Sequence, residues 1–284
     1  MMGQIGLGGG ATSLAFHSGS FTKPDGYNWG GDRGMYAAGQ TGSTYNDMAN
    51  SIKYFGISTL SSVDTFGDST QPRAYGASCS NSTRGIQAGG YSDPLYWNII
   101  EYTTIASTGN ATDFGDMIYQ RRNFGAVSNG SRAVWAGGYS MPQPAFVTRA
   151  NMDYTTIATT GNATDFGDLT VASEGQKGVS SKTRGVFSGG SLPASPWWGA
   201  LQAITIDTTA NATSIGTQNS SAKGYSAASG NGVYGTFSGG RTTYSTKTTS
   251  MNYITIDTHS SGYVTGFGNM GVAREGPFGY SGDA

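Results

Sequence analysis

The sequence predicts an all-β protein, a five-bladed β-propeller of four-stranded antiparallel blades with an N-terminal extension. Three observations carry this. A unit of about fifty residues recurs five times, each unit breaks into four short strand candidates, and the composition disfavours helices.

The recurrence is legible in fixed marks. A glycine ending a small-residue pair stands at Gly39, Gly90, Gly138, Gly190 and Gly240, at spacings of 51, 48, 52 and 50 residues. Four of these five pairs are double glycines. Upstream lies an arginine followed by a small residue, Arg33-Gly34, Arg84-Gly85, Arg132-Ala133 and Arg184-Gly185, replaced in the last copy by Tyr234-Gly235. Downstream an isoleucine returns at Ile57, Ile105, Ile157, Ile206 and Ile256, usually three residues after a tyrosine.

Within the third copy the strand candidates run in order. The first is Phe124-Gly125-Ala126-Val127-Ser128, turned by Asn129-Gly130-Ser131 into the second, Arg132-Ala133-Val134-Trp135-Ala136, which Gly137-Gly138 stops. The third runs from Asn151 to Ala158, and its Tyr154-Thr155-Thr156-Ile157 suits a strand packed on both faces. The turn Thr160-Gly161-Asn162 leads to an outer strand, Ala163 to Asp168.

Among 284 residues there are 46 glycines, 16 Lys and Arg and 17 Asp and Glu, a turn-rich and weakly charged composition. The hydrophobic fraction of 36% is low, but 17 Tyr, 12 Phe and 5 Trp bury large areas per residue and can furnish a core. A net charge of −1 without a basic stripe argues against nucleic acid as a partner. Cys79 is the single cysteine, which excludes an intrachain disulfide and a cysteine-based zinc site. The start, Met1 to Gly10, lacks the basic and apolar regions of a signal peptide, and no run approaches twenty apolar residues, so membrane insertion is not expected.

An arginine before a strand and a double glycine ending it, repeated in register, resemble the kelch repeat of the kelch and galactose-oxidase propeller superfamily over about residues 32–284, without that family's regular Trp after the double glycine. The phrase from Thr156 to Thr170, followed by Thr183-Arg184-Gly185-Val186-Phe187-Ser188-Gly189-Gly190, is also similar to tandem repeats in tail-fibre and other virion proteins of marine tailed bacteriophages, cyanophages among them. The first resemblance implies a kelch-like propeller. The second implies a virion structural protein.

The segment from Arg274 to Ser281 aligns with the start of copy two, Arg73 to Ser78, and leaves over a strand of the first type. The expectation is that this C-terminal strand closes the ring by completing the blade begun at Asp32. Residues 1–31 then form either an arm that docks on other virion proteins or a flexible terminus, and residues 32–284 form the propeller, with repeats at 32–83, 84–131, 132–183, 184–233 and 234–284.

Material for catalysis is thin. His17 and His259 are the only histidines, and Cys79 reads as a small buried residue. An enzyme is therefore not expected, and neither is a cofactor or a metal site. A copper-oxidase-like activity, which the galactose-oxidase resemblance would imply, is the weakest reading. Asp113 with Asp116 and Asp165 with Asp168 offer two carboxylates per repeat, few for calcium, and read better as turn caps or partners of the recurring arginine. The sequons at Asn110, Asn162 and Asn211 share one turn position and read as turn chemistry.

The connection between second and third strands varies while the strands keep register, and binding residues concentrate in such loops. Its aromatic residues are the candidate binding set: Tyr45, Tyr91, Tyr96, Trp97, Phe146, Trp197, Trp198 and Tyr244, with Tyr139 and Met141 beside them. The expected function is a bacteriophage virion structural protein on the particle exterior, made in the host cytoplasm, present in multiple copies and attaching to a host-surface glycan as a fibre or tail module. The alternative is an architectural decoration or cement protein.

Overall fold

The short, turn-punctuated strand candidates pair into five antiparallel sheets of four. The computed structural model describes residues 14–18, 21–22, 28–29, 33–41, 47–56, 62–141, 147–192, 199–218, 223–243 and 245–274. Blade one begins with β1 (Leu14–Ser18), continues through a short hairpin, β2 (Phe21–Thr22) and β3 (Asn28–Trp29), and is completed by β4 (Arg33–Gln40), β5 (Met48–Gly56) and β6 (Asp64–Asp68). Blade two is β7 (Ala77–Ser80), β8 (Arg84–Ser92), β9 (Leu95–Thr104) and β10 (Thr112–Asp116). Blade three is β11 (Gly125–Ser128), β12 (Arg132–Ala136), a two-residue hairpin of β13 (Tyr139–Ser140) and β14 (Val147–Thr148), then β15 (Asn151–Thr156) and β16 (Thr164–Asp168). Blade four is β17 (Lys177–Ser180), β18 (Arg184–Ser188), β19 (Ala200–Thr205) and β20 (Thr213–Thr217), and blade five is β21 (Ala227–Gly230), β22 (Tyr234–Ser238), β23 (Ser250–Thr255) and β24 (Thr265–Asn269). The first strands of successive blades lie side by side, β1 by β7, β7 by β11, β11 by β17 and β17 by β21, so the blades form a β-propeller with these strands innermost.

The double glycine is a backbone requirement. Gly189 sits at φ 64° and Gly190 at φ 129°, a left-handed step that side chains disfavour, and a Cβ on Gly189 would strike the carbonyl oxygen of Lys223. The second residue of every pair donates its N–H across to the junction leading to the next blade: Gly39 to Arg73 O (2.9 Å), Gly90 to Arg121 O (2.9 Å), Gly138 to Ser173 O (2.8 Å), Gly190 to Lys223 O (3.3 Å) and Gly240 to Arg274 O (2.8 Å). The turn that ends β12 therefore also fixes where the chain leaves the blade.

The other register marks staple neighbouring blades. Arg84 lies over the ring of Tyr102 at 4.4 Å and donates to the carbonyl oxygen of Ile157 in the next blade at 2.9 Å. Arg33 with Tyr54 and Ile105, and Arg132 with Tyr154 and Ile206, repeat the arrangement, and Arg184 donates to Ile256 O. The recurring arginine thus serves backbone carbonyls, not the outer-strand aspartates expected to pair with it. The sequon asparagines are structural as well: Asn110, Asn162 and Asn211 each accept a hydrogen bond from the backbone N–H that ends the outer strand of the preceding blade, Asp68, Asp116 and Asp168 respectively.

Four seams between blades are filled by core clusters. Met35, Ile52 and Phe66 of blade one meet Ile105 and Ala111; Ile86, Ile100 and Phe114 of blade two meet Trp135 and Ile157; Val134, Met152 and Phe166 of blade three meet Phe187 and Ile206; Val186, Leu201 and Ile215 of blade four meet Phe237 and Ile256. Two seams also hold ion pairs of fully buried side chains, Arg73 with Glu101 at 2.5 Å and Arg121 with Asp153 at 2.9 Å. At the next junction Lys223 donates to Ser250 O and Oγ (3.2 and 2.8 Å), and burial pulls its ammonium down to about 8.

Blade five differs on its far face. Phe267 occupies the register of Phe66, Phe114, Phe166 and Ile215, yet it is 49% exposed where they are at most 5%. No core cluster among the described residues joins blade five to blade one. The charges differ too: Arg274 stands at the junction position of Arg73 and Arg121, while the strand register puts Lys53 where Glu101 and Asp153 stand. A fifth seam built like the others would oppose two cations. Phe166→Ala is expected to cost about 3–5 kcal/mol, against about 1 kcal/mol for Phe267→Ala, whose half-exposed ring keeps an edge-to-face contact with Tyr253 at 5.9 Å. Urea midpoints measured side by side check the contrast, and equal losses would contradict it.

Ring closure by the C-terminal strand needs correction. The edge of β4 which that strand was expected to fill is taken by β1, with Leu14 opposite Ala37 and Ser18 opposite Arg33. Part of the segment expected to be an arm therefore belongs to blade one, and residues 275–284 lie outside the described residues. The physical reason is that β1 reaches β4 through the adjoining β2–β3 hairpin, whereas the sequence alignment of the C-terminal segment reports likeness to a first strand without saying which edge is open.

Candidate binding face

Where each blade hands over to the next, one residue takes a left-handed backbone: Tyr75 (φ 64°), Asn123 (φ 56°), Gly175 (φ 73°) and Tyr225 (φ 56°). These four are linked by backbone hydrogen bonds running from blade to blade. The N–H of Asn123 donates to Tyr75 O (2.7 Å), that of Gly175 to Asn123 O (2.6 Å) and that of Tyr225 to Gly175 O (2.8 Å). Non-glycine residues at positive φ carry strain that the surroundings must offset, and here the belt supplies the offset.

The residue just before each belt position pairs with the residue just after each double glycine, Ala74 with Tyr91, Arg122 with Tyr139, Glu174 with Ser191 and Gly224 with Arg241. For Arg122 and Tyr139 the pair exchanges both backbone hydrogen bonds, at 3.0 and 2.8 Å. The double glycine and the belt together thus hold Tyr75, Tyr91, Arg122 and Tyr139 in one place. The Arg122 guanidinium lies 4.7 Å from the ring centre of Tyr91, 5.3 Å from Tyr96, 5.6 Å from Tyr139 and 5.7 Å from Tyr75. Tyr91 and Tyr96 meet edge to face at 5.0 Å, and Tyr96 and Tyr139 are 6.4 Å apart.

Burial keeps Tyr91 and Tyr139 in the neutral form. The Tyr91 hydroxyl donates to Asp93 Oδ1 at 2.7 Å, and burial, with Asp93 adding to it, pushes it up to about 12. Burial raises Tyr139 and Tyr225, with Glu174 contributing to both. Glu174 is itself held: Asn123 Nδ2 donates to its Oε2 at 3.1 Å, and Tyr225 hydrogen-bonds to it. The Tyr75 hydroxyl donates to Gln40 Oε1 at 2.7 Å. What results is an aromatic face with one central cation.

Of the candidate binding residues, Tyr91 and Tyr96 come together here, Tyr91 half-buried and Tyr96 buried. Trp97 is half-buried, its indole N–H donating to Ser92 Oγ at 2.9 Å. Tyr45, Phe146, Trp197, Trp198 and Tyr244 lie outside the described residues. Tyr75, Arg122, Glu174 and Tyr225 are not among the sequence candidates, because they lie at the blade junctions and not in the variable loop between second and third strands. A signal was present: each stands two or three residues before a first strand, in step with the repeat.

Among the described residues no cluster of three or more His, Cys, Asp or Glu is placed to hold a metal ion. Cys79 packs half-buried against the core of the second seam, and burial pushes its thiol up, away from thiolate reactivity. His259 is held below its usual value by burial and by Arg184. The class the fold defines is a five-bladed β-propeller with an aromatic face at its blade junctions. No family model matches the chain, and the search of curated proteins finds no match.

Proposed function

We propose that the chain is a virion structural protein of a tailed bacteriophage, a kelch-like propeller on the particle exterior whose aromatic face attaches to a glycan of the host surface. The observation that carries this is the gathering of Tyr75, Tyr91, Tyr96 and Tyr139 around Arg122 on rigid strands. Tyrosine rings pack on sugar faces and their hydroxyls bond to sugar oxygens, while strands and junctions hold the rings at little entropic cost. The resemblance of the repeat to phage tail-fibre repeats supports the same reading. Weak sites suffice when many copies are presented together, since linking raises effective concentration. The residues ahead of β1 would join the propeller to other virion proteins.

The exposure of Phe267 on the far face of blade five favours a second reading, an architectural decoration or cement module that buries this face against a neighbour in the shell. One experiment separates the two. On a glycan array and on whole host cells, Tyr91→Ala and Trp97→Ala are expected to lower binding at least tenfold with the thermal midpoint preserved. Binding to virion proteins alone, indifferent to both substitutions, would establish the architectural role and sink attachment.

A further inference from the structure

Arg122 is provisioned differently from the other arginines of the blades. Arg73 and Arg121 are ion-paired, Arg84, Arg132 and Arg184 donate to isoleucine carbonyls, and Arg149 donates to Ser140 Oγ. The Arg122 guanidinium donates to no acceptor among the described residues; its contacts are the four tyrosine rings. Its Nε is buried without a partner, whereas its terminal nitrogens are not enclosed. No carboxylate among the described residues forms a salt bridge with it, and the acids at this face are engaged elsewhere, Asp93 by the Tyr91 hydroxyl and Glu174 by Asn123 and Tyr225. A guanidinium offers five N–H donors in a planar fork that matches a carboxylate, and a desolvated donor left unmatched costs free energy.

We infer that Arg122 and the tyrosines around it form a binding site for an acidic sugar, a pyranose bearing a carboxylate. The inference rests on the attachment reading and names the ligand class at that face. The guanidinium fork takes both carboxylate oxygens, in a setting where surrounding rings exclude water and strengthen the charge-assisted hydrogen bonds. The half-buried rings of Tyr91 and Tyr139 pack against the apolar face of the sugar ring. A bare carboxylate gains the first interaction only, and a neutral hexose the second only. Lysine in place of Arg122 keeps the charge and loses the fork.

The test is a titration of the full chain with D-glucuronate, D-glucose and acetate, followed by the arginine Nε–Hε resonances, with Arg122 assigned by its loss in Arg122→Lys. Glucuronate is expected to shift the Arg122 signal saturably, at a concentration at least tenfold below that needed for glucose or acetate. Arg122→Lys is expected to weaken glucuronate binding at least tenfold with the thermal midpoint unchanged. An Arg122 signal indifferent to glucuronate, or acetate acting as strongly as glucuronate, overturns the inference. Attachment is read separately on host cells: binding there that Arg122→Lys leaves intact refutes the acidic-sugar site and spares the attachment reading, whereas saturable glucuronate binding without host-cell attachment upholds the site and refutes attachment.

Discussion

Asp153→Ala is expected to destabilise the protein by about 3–5 kcal/mol, because it leaves a fully buried guanidinium without its counter-charge. In the intact seam Arg121 is paired with Asp153 at 2.9 Å and also donates to the carbonyl oxygens of Gly137 and Asn151, at 3.0 and 2.9 Å, while Asp153 accepts the N–H of Ile118 at 3.1 Å. Desolvation weighs on both partners: burial raises the Asp153 carboxyl, against the pull of Arg121, and lowers Arg121. The pair is therefore costly to break and not strongly favourable to keep. The double variant Arg121→Leu with Asp153→Leu, which removes both charges, should recover most of the loss, as measured by chemical denaturation of the two single variants and the double. Singles that add without any recovery would show that the two side chains act independently.

Trp135→Ala is the second large effect, about 3–5 kcal/mol, from the cavity left by the largest fully buried side chain among the described residues. Trp135 lies in the seam between blades two and three, 6.4 Å from Phe124 in an edge-to-face arrangement, with Phe114, Met117 and Ile157 in the same cluster. Its indole N–H is buried with no hydrogen-bond partner among the described residues. That orphan donor separates the tryptophan's volume from its polarity. Trp135→Phe, which keeps most of the volume and removes the unsatisfied donor, is expected to cost about 1.5 kcal/mol or less, since retained volume limits the cavity and a lost orphan group offsets part of it. Thermal and urea unfolding of the two variants decide between them; a phenylalanine as damaging as alanine would mean that the indole makes a polar contact after all.

Much of the blade could be read directly. The strand candidates of the third copy match β11, β12, β15 and β16 to within two residues at each end, because turn-forming Asn129-Gly130-Ser131 and Gly137-Gly138 punctuate the chain where the backbone must turn. The recurring Arg, Tyr and Ile were visible as register marks, but their partners were not. Arg84 reaches a carbonyl 73 residues away, and nothing in the local sequence distinguishes a backbone acceptor from the nearby aspartates. The site was half legible for the same reason. Tyr91 and Tyr96 announced themselves as loop aromatics, whereas Arg122 joined them only through the belt that links one junction to the next.

By itself, then, the sequence determined the unit: four strands, their turns, the need for glycine where the chain takes a left-handed step, and five copies of the whole. These follow from local backbone sterics and from side-chain alternation, which depend on near neighbours. Tertiary structure decided what lies between units. It set β1 against β4 in place of a C-terminal strand, buried Arg121 against Asp153, drew four tyrosines around Arg122, and left Phe267 exposed although it occupies the register of Phe166. Each of these depends on which surface faces a residue across a seam, and that is fixed by packing between distant segments and not by the residue's own place in the repeat.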